Sequence, residues 1–254
     1  MKTVTKRPSD WTKENIANFW DWQSKNVSRA KQYFTYSMSP GITRLLKKKD
    51  LLKGRVLDYG CGTGYLLKQM AKENGVEFYG LDFSADSLAS TKVKMANDIN
   101  LKDLVLATTL PTPFPNQHFD TITVIETLEH LQEEPLHQTM DELHRILKTN
   151  GKVFITTPFN ENLESHFEYC PFCHSEFHRM QHMQSFDIES LMNLASQHGF
   201  AVDYCQNINI EKYKLGPVKF YIKQALKSII SYLGIIERKI EKRPNLVAIF
   251  KKIQ

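Results

Sequence analysis

The stretch that most restricts what this chain can fold into is residues 55–64, RVLDYGCGTG, with the helical pattern that follows it, YLLKQMAKEN. A short apolar run without polar alternation predicts a strand covered on both faces, as the strands of parallel sheets are. Gly60, Gly62 and Gly64 then turn the chain into a helix and let backbone N–H groups approach a ligand closely. The same texture repeats downstream. VEFYGLDF reads as a second strand, and Ser84 is placed to cap the helix SADSLASTKVKMAND. LVLATTL and FDTITVIET give a third and a fourth strand, LHQTMDELHRILKTNG a helix closed by Gly151, and KVFITTP a fifth strand. Strands alternating with helices imply βαβ units, so the expected class is α/β with a doubly wound parallel sheet.

Beyond the fifth strand, DIESLMNLASQHGF predicts a helix ending at Gly199, AVDYCQNI a sixth strand and NLVAIFKKI a last one. The expected organisation is a helical cap over residues 1–50, broken at Pro40-Gly41, and a principal domain over 51–254. Two insertions interrupt that domain, a Cys/His segment at 160–184 and a basic amphipathic segment at 209–243. With 254 residues, 41% of them hydrophobic, the chain can bury one large core and a small appendage. No apolar window reaches the roughly eighteen residues of a membrane span and no apolar leader opens the chain, so a soluble, cytoplasmic protein is expected. The four cysteines are too few for a secreted disulfide framework and are expected to be reduced. A net charge of +5 with both signs mixed does not by itself indicate nucleic acid.

Asp82 closes the second strand about twenty residues after the glycine turn, where a carboxylate can hydrogen-bond ribose hydroxyls. The G-x-G-x-G spacing lacks the third-glycine offset of the dinucleotide fingerprint, which argues against a nicotinamide cofactor. VLDYGCGTG, YGLDFS, FDTITVIETLEHL and LKTNGKVFITTP, in that order, resemble the motifs of class I S-adenosylmethionine-dependent methyltransferases of the type 11/12 kind. The resemblance spans residues 55–253 and implies a Rossmann-like seven-strand sheet whose last strand, NLVAIFKKI, is antiparallel. It also implies that Asp58 and the turn of Gly60, Cys61, Gly62 and Gly64 hold the methionine part of the cofactor, with Asp82 on the ribose and Phe83 beside the adenine. Where the family often has an Asp meeting the adenine amino group, this chain has Thr108, so Thr108 or Thr109 would serve through a hydroxyl or the backbone. Glu126, at the end of the fourth strand, counts on both the cofactor and the acceptor side.

Methyl transfer from a sulfonium is an in-line displacement, for which the protein supplies orientation and, for a hydroxyl acceptor, a base. ETLEHL offers Glu126, Glu129 and His130 at the ligand-binding edge of the sheet, and His130 has the pKa range for base work near neutrality. The E-x-x-E-H pattern also resembles two metal-assisted branches, ubiquinone-pathway O-methyltransferases and small-RNA 2′-O-methyltransferases. There both glutamates and the histidine bind a divalent ion, and in the RNA enzymes a further histidine joins them, a part open here to His182. Rim packing, base and metal ligand therefore stand side by side for His130.

EYCPFCHSEFHRMQH places Cys170 and Cys173 as C-x2-C and His178 and His182 as H-x3-H, a complete tetrahedral set for a structural Zn²⁺. His174 could replace His178, and His182 could instead belong to the active site. Zinc here would fix the loop after strand five, where Asn160, Asn162 and His166 would shape the acceptor pocket. In the basic insertion Phe220, Leu226, Ile229, Ile230 and Leu233 recur at helical spacing, with Lys219, Lys223 and Lys227 on another face. Such a helix is either a lid on its own domain or a peripheral contact with an anionic membrane. Trp20, Trp22, Tyr33 and Tyr36 occupy the region that caps the cofactor in many class I enzymes. The expected function is O-methylation of a small-molecule, glycan or lipid-linked acceptor. The rivals are a metal-dependent RNA 2′-O-methyltransferase and a zinc-stabilised S-adenosylmethionine-binding protein without turnover. The acceptor and the oligomeric state are not fixed by the sequence.

Overall fold

The computed structural model describes residues 11–26, 28, 32–232 and 245–253. Residues 1–10 of the expected cap and 233–244 of the basic insertion, Leu233 included, lie outside the described residues, as do the side chains of Lys227, Ile229 and Ile230. In chain order the elements are α1 (Lys13–Lys25), α2 (Phe34–Lys48), β1 (Gly54–Tyr59), α3 (Tyr65–Met70), β2 (Val76–Asp82), α4 (Ala85–Met95), β3 (Leu101–Leu106), β4 (Phe119–Ile125), α5 (Glu133–Ile146) and β5 (Leu147–Pro158). They continue with β6 (Phe167–Tyr169), β7 (Glu176–His178), α6 (Ile188–Gln197), β8 (Phe200–Ile208), α7 (Glu211–Leu215), α8 (Pro217–Tyr232) and β9 (Asn245–Lys252).

Seven strands form one sheet in the order β3-β2-β1-β4-β5-β9-β8. β1 to β5 pair in parallel, and β9 enters antiparallel between β5 and β8, as expected for the last strand. Side-chain alternation explains why the strands read as unbroken apolar runs. Leu57, Ile122, Val153, Ile155, Leu246 and Phe250 point into a core shared with α5 and α6, while Val56, Phe78, Phe154, Val247 and Ile249 point into a core shared with α2 and α3. β6 and β7 form a separate hairpin within the Cys/His insertion.

Two local expectations are corrected. The break at Pro40-Gly41 does not occur, because α2 runs through both residues. An internal proline is unfavourable by about 3 kcal/mol, but α2 buries Met38, Ile42, Leu45 and Leu46 against the sheet. Gly41 has its own reason to lack a side chain, since a Cβ there would lie 2.8 Å from the Ile210 carbonyl oxygen. The second correction concerns the helix expected to end at Gly151. α5 stops at Ile146, and residues 147–150 already belong to β5, where Leu147 pairs with Phe119.

Candidate active site

The strand order reverses between β1 and β4, and their C-terminal ends open the crevice where such sheets bind ligands. A cavity of about 1290 Å³ lies there, bounded at one end by Gly60, Cys61, Gly62, Asp82 and Phe83 and at the other by Glu126, His130, Glu161 and His182. Small-ligand pockets occupy roughly 300–1,000 Å³, so the space admits a cofactor and an acceptor together.

The end expected to take the cofactor is built from the glycine turn. Gly62 has φ +52°, a Cβ there would meet nothing within 4 Å, and its N–H donates to Asp82 Oδ2 at 2.7 Å. Gly64, at φ +77°, is held by packing, since a Cβ would lie 2.7 Å from Thr91 Cγ2. Asp82 also accepts from the Ser84 N–H at 2.9 Å, and burial raises its carboxyl to about 6 against those hydrogen bonds. Phe83, Thr108 and Thr109 line the same end, at the positions expected to flank the adenine. Asp58 is placed differently from the expectation. It is buried beneath the turn, outside the cavity lining, and accepts from Thr123 Oγ1 at 2.8 Å. Burial raises it to about 7. Of the N-terminal aromatics, Trp20 and Tyr33 line the cavity, whereas Trp22 and Tyr36 do not.

The opposite end, where the acceptor is expected, collects side chains from four segments. Glu126 holds a left-handed backbone (φ 48°) at the end of β4, a conformation costly for a non-glycine residue and recurrent at functional sites. Its N–H donates to the Thr156 carbonyl at 2.8 Å, and its carboxylate accepts from Thr156 Oγ1 at 2.8 Å. Burial raises the Glu126 carboxyl to about 7. Glu129 is fully buried, neither carboxylate oxygen has a hydrogen-bond partner among the described residues, and burial with the nearby Glu126 raises it well above the usual range. His130 Nδ1 lies 3.3 Å from the Gln181 carbonyl oxygen; a carbonyl only accepts, so Nδ1 carries the proton and Nε2 keeps its lone pair. Burial holds His130 well below the ordinary histidine range, and neighbouring His182 adds to the shift.

Glu161 organises the histidines. His182 Nδ1 donates to it at 2.5 Å, which likewise leaves His182 Nε2 unprotonated. His178 Nδ1 accepts from the backbone N–H groups of Met180 and His182 at 3.3 and 3.1 Å, so its proton sits on Nε2, 3.6 Å from Glu161. Burial alone would push the Glu161 carboxyl up, but its contacts with His178 and His182 hold it well below the ordinary range. Above this cluster Trp20 of α1 donates from Nε1 to Gln181 Oε1 at 2.7 Å and meets the His130 ring edge-on at 4.8 Å. Glu161 and Gln181 were not singled out from the sequence. Glu161 stands between Asn160 and Asn162, two loop residues that were, and neither asparagine lines the cavity, whereas Glu161 and His166 do.

The expected Cys₂His₂ set is not assembled. Phe167 pairs with His178 at the base of the β6-β7 hairpin, while Cys170 and Cys173 lie in the turn at its tip. Three residues of strand separate Phe167 from Cys170, about 10 Å at 3.4 Å per residue. Cys173 is exposed and its thiol contacts Ser175 Oγ at 3.1 Å. His174, the alternative ligand, bonds the Tyr169 hydroxyl. Among the described residues, the groups that bring three ligand atoms together are Glu129-His130-His182 and Glu161-His178-His182, and neither includes a thiol.

A family model described as a methyltransferase domain matches residues 29–204. An uncharacterized protein of Methanocaldococcus jannaschii is 28% identical over 225 residues, 80% of this chain and 83% of the relative. The ubiquinone biosynthesis O-methyltransferase of Vibrio cholerae is 32% identical over 123 residues, so the match spans 48% of this chain and about half (49%) of that enzyme. Among solved structures, a chain from the complex between the Haloferax volcanii Trm112 methyltransferase activator and a methyltransferase superposes with a TM-score of 0.67 at 16% identity. That match covers 92% of this chain and 98% of the other, and carries the fold alone.

Proposed function

This chain belongs to the methyltransferase-domain family and has the class I fold of S-adenosylmethionine-dependent enzymes, and from that premise we propose that it methylates an oxygen of a small-molecule, glycan or lipid-linked acceptor. The observation that carries the reading is one cavity with Asp82 and the glycine turn at one end and His130 with Glu126 at the other. In this reading Asp82 accepts from the ribose hydroxyls, Gly60, Cys61 and Gly62 receive the methionine part, and Phe83, Thr108 and Thr109 enclose the adenine. Asp58 acts through its bond to Thr123, fixing β1 against β4 beneath the turn. His130 Nε2, which keeps its lone pair, would accept the acceptor's proton, and the cofactor held at the other end would supply a methyl group already activated by its sulfonium. The activity of the Vibrio cholerae relative supports oxygen as the acceptor atom. The test is transfer of labelled methyl from S-adenosylmethionine across a panel of hydroxylated acceptors. Production of S-adenosylhomocysteine that is lost in Asp82→Ala is expected; tight cofactor binding with no turnover on any acceptor favours a binding protein instead.

A specific observation favours a second reading, in which a divalent ion assists. Both His130 and His182 hold their Nδ1 protons against acceptors, leaving two Nε2 lone pairs beside the buried Glu129 carboxyl group, whose oxygens make no hydrogen bond among the described residues. Histidines that bind metal are commonly oriented by such a contact on the other ring nitrogen. Glu129, His130 and His182 would hold the ion, with Glu126 beside them, and the ion would lower the pKa of the acceptor hydroxyl as a Lewis acid. This is also the arrangement an RNA 2′-O-methyltransferase reading requires. Activity that survives exhaustive chelation removes both.

A further inference from the structure

The expected stripe of helix α8 is not one face, since Phe220 packs inward while Leu226 is exposed, but another apolar face of the helix points outward. Val218, Tyr221, Ile222 and Leu226 are 70%, 59%, 55% and 54% exposed, and Ala225 between them is exposed as well. At 100° per residue these five side chains occupy one face about 140° wide. Among the described side chains of α8, Phe220, on the other side of the helix, packs inward at 9% exposure. A lid would bury such a face, whereas α8 leaves it exposed among its described side chains. A contiguous exposed apolar face of this kind marks an interaction surface.

Charge says what that surface meets. Residues 211–232 contain five Lys and one Glu, a net charge of +4 against +5 for the whole chain. Lys219 flanks the stripe in the open, and Lys212 Nζ reaches the Tyr221 hydroxyl at 3.2 Å. Apolar side chains flanked by lysines and a tyrosine suit the boundary between lipid headgroups and acyl chains, and basic residues near an anionic leaflet are attracted to it. We propose that α8 docks this protein on an anionic lipid bilayer, with Val218, Tyr221, Ile222 and Leu226 entering the headgroup boundary and the surrounding lysines held by lipid phosphates. The helix is tied to the active site as well. Lys223 Nζ pairs with Glu211 at 2.5 Å, and Glu211 lines the cavity, so the docking helix is joined directly to the cavity wall.

The proposal holds whatever the acceptor is, and its test needs no turnover. The full chain is floated with phosphatidylcholine vesicles and with vesicles containing about 30% phosphatidylglycerol, an anionic surface of the kind that attracts polybasic segments. At least about tenfold more protein is expected on the anionic vesicles, falling as salt screens the lysines. The double variant Ile222→Asp/Leu226→Asp should drop to the level of neutral vesicles with an unchanged melting temperature, because both sites are over half exposed. Absence of flotation on anionic vesicles overturns the proposal, as does a double variant that binds like the wild type. A dimer in solution that dissociates in the double variant assigns the face to a second copy of the chain, and a large fall in melting temperature assigns it to intramolecular cover; both also overturn it.

Discussion

Asp82 sits where a buried environment disfavours its charge while two backbone N–H groups favour it, leaving its carboxyl at about 6. A ribose diol needs an ionised acceptor there. Cofactor affinity should therefore rise as pH increases toward neutrality and level off above the Asp82 value, with about a tenfold weaker Kd at pH ~5 than at pH ~7. Calorimetric titration across that range checks it, and a flat profile removes Asp82 as the ribose ligand. Glu161 governs the other end through His182, whose imidazole is held low mainly by burial while Glu161 pulls it up. Glu161→Gln removes that pull, so the His182 titration should move to lower pH and kcat should fall about 10- to 100-fold, the range for losing an orienting partner. NMR titration of the imidazoles separates this from unfolding. The Cys/His motif shows the limit of residue-level reading: its spacing suits zinc, yet the histidines turn toward Glu161 and the thiols stay at the hairpin tip, because pairing register decides which way each side chain points.

At the scale of elements, the join of β1 to α3 was legible because its demands are local. Gly64 must take a positive φ and must also lack a Cβ beside Thr91. Gly64→Ala combines a left-handed penalty of about 1–2 kcal/mol with overpacking of about 1–3 kcal/mol. A chemical denaturation midpoint lowered to match, with weakened cofactor binding, is the expected result. Helix α2 shows the opposite case, for Pro40 predicts a break that buried Met38, Ile42, Leu45 and Leu46 override. Nothing in the local sequence of α2 announces the sheet it packs on. The early end of α5 has the same origin, since Leu147 leaves the helix to pair with Phe119 across the sheet.

For the whole molecule, one sheet separates two cores, and β5 and β9 supply side chains to both. Phe154 is fully buried near the middle of that sheet, between Thr123 on β4 and Ile249 on β9. Phe154→Ala should lower stability by about 3–5 kcal/mol, in a single transition that also abolishes cofactor binding. Two separable transitions in calorimetry would contradict a shared core. The sequence by itself determined the α/β class and the glycine turn, because strand periodicity and turn geometry are properties of a few neighbouring residues, and its resemblance to class I methyltransferases implied the antiparallel final strand. Only the tertiary structure decided that Asp58 lies behind the turn, that His178 and His182 join Glu161 rather than the cysteines, and that Val218, Tyr221, Ile222 and Leu226 face outward on α8 while Phe220 packs inward. Each of these depends on which distant residue occupies the facing position, and that is set by strand register and helix orientation, which no local pattern encodes.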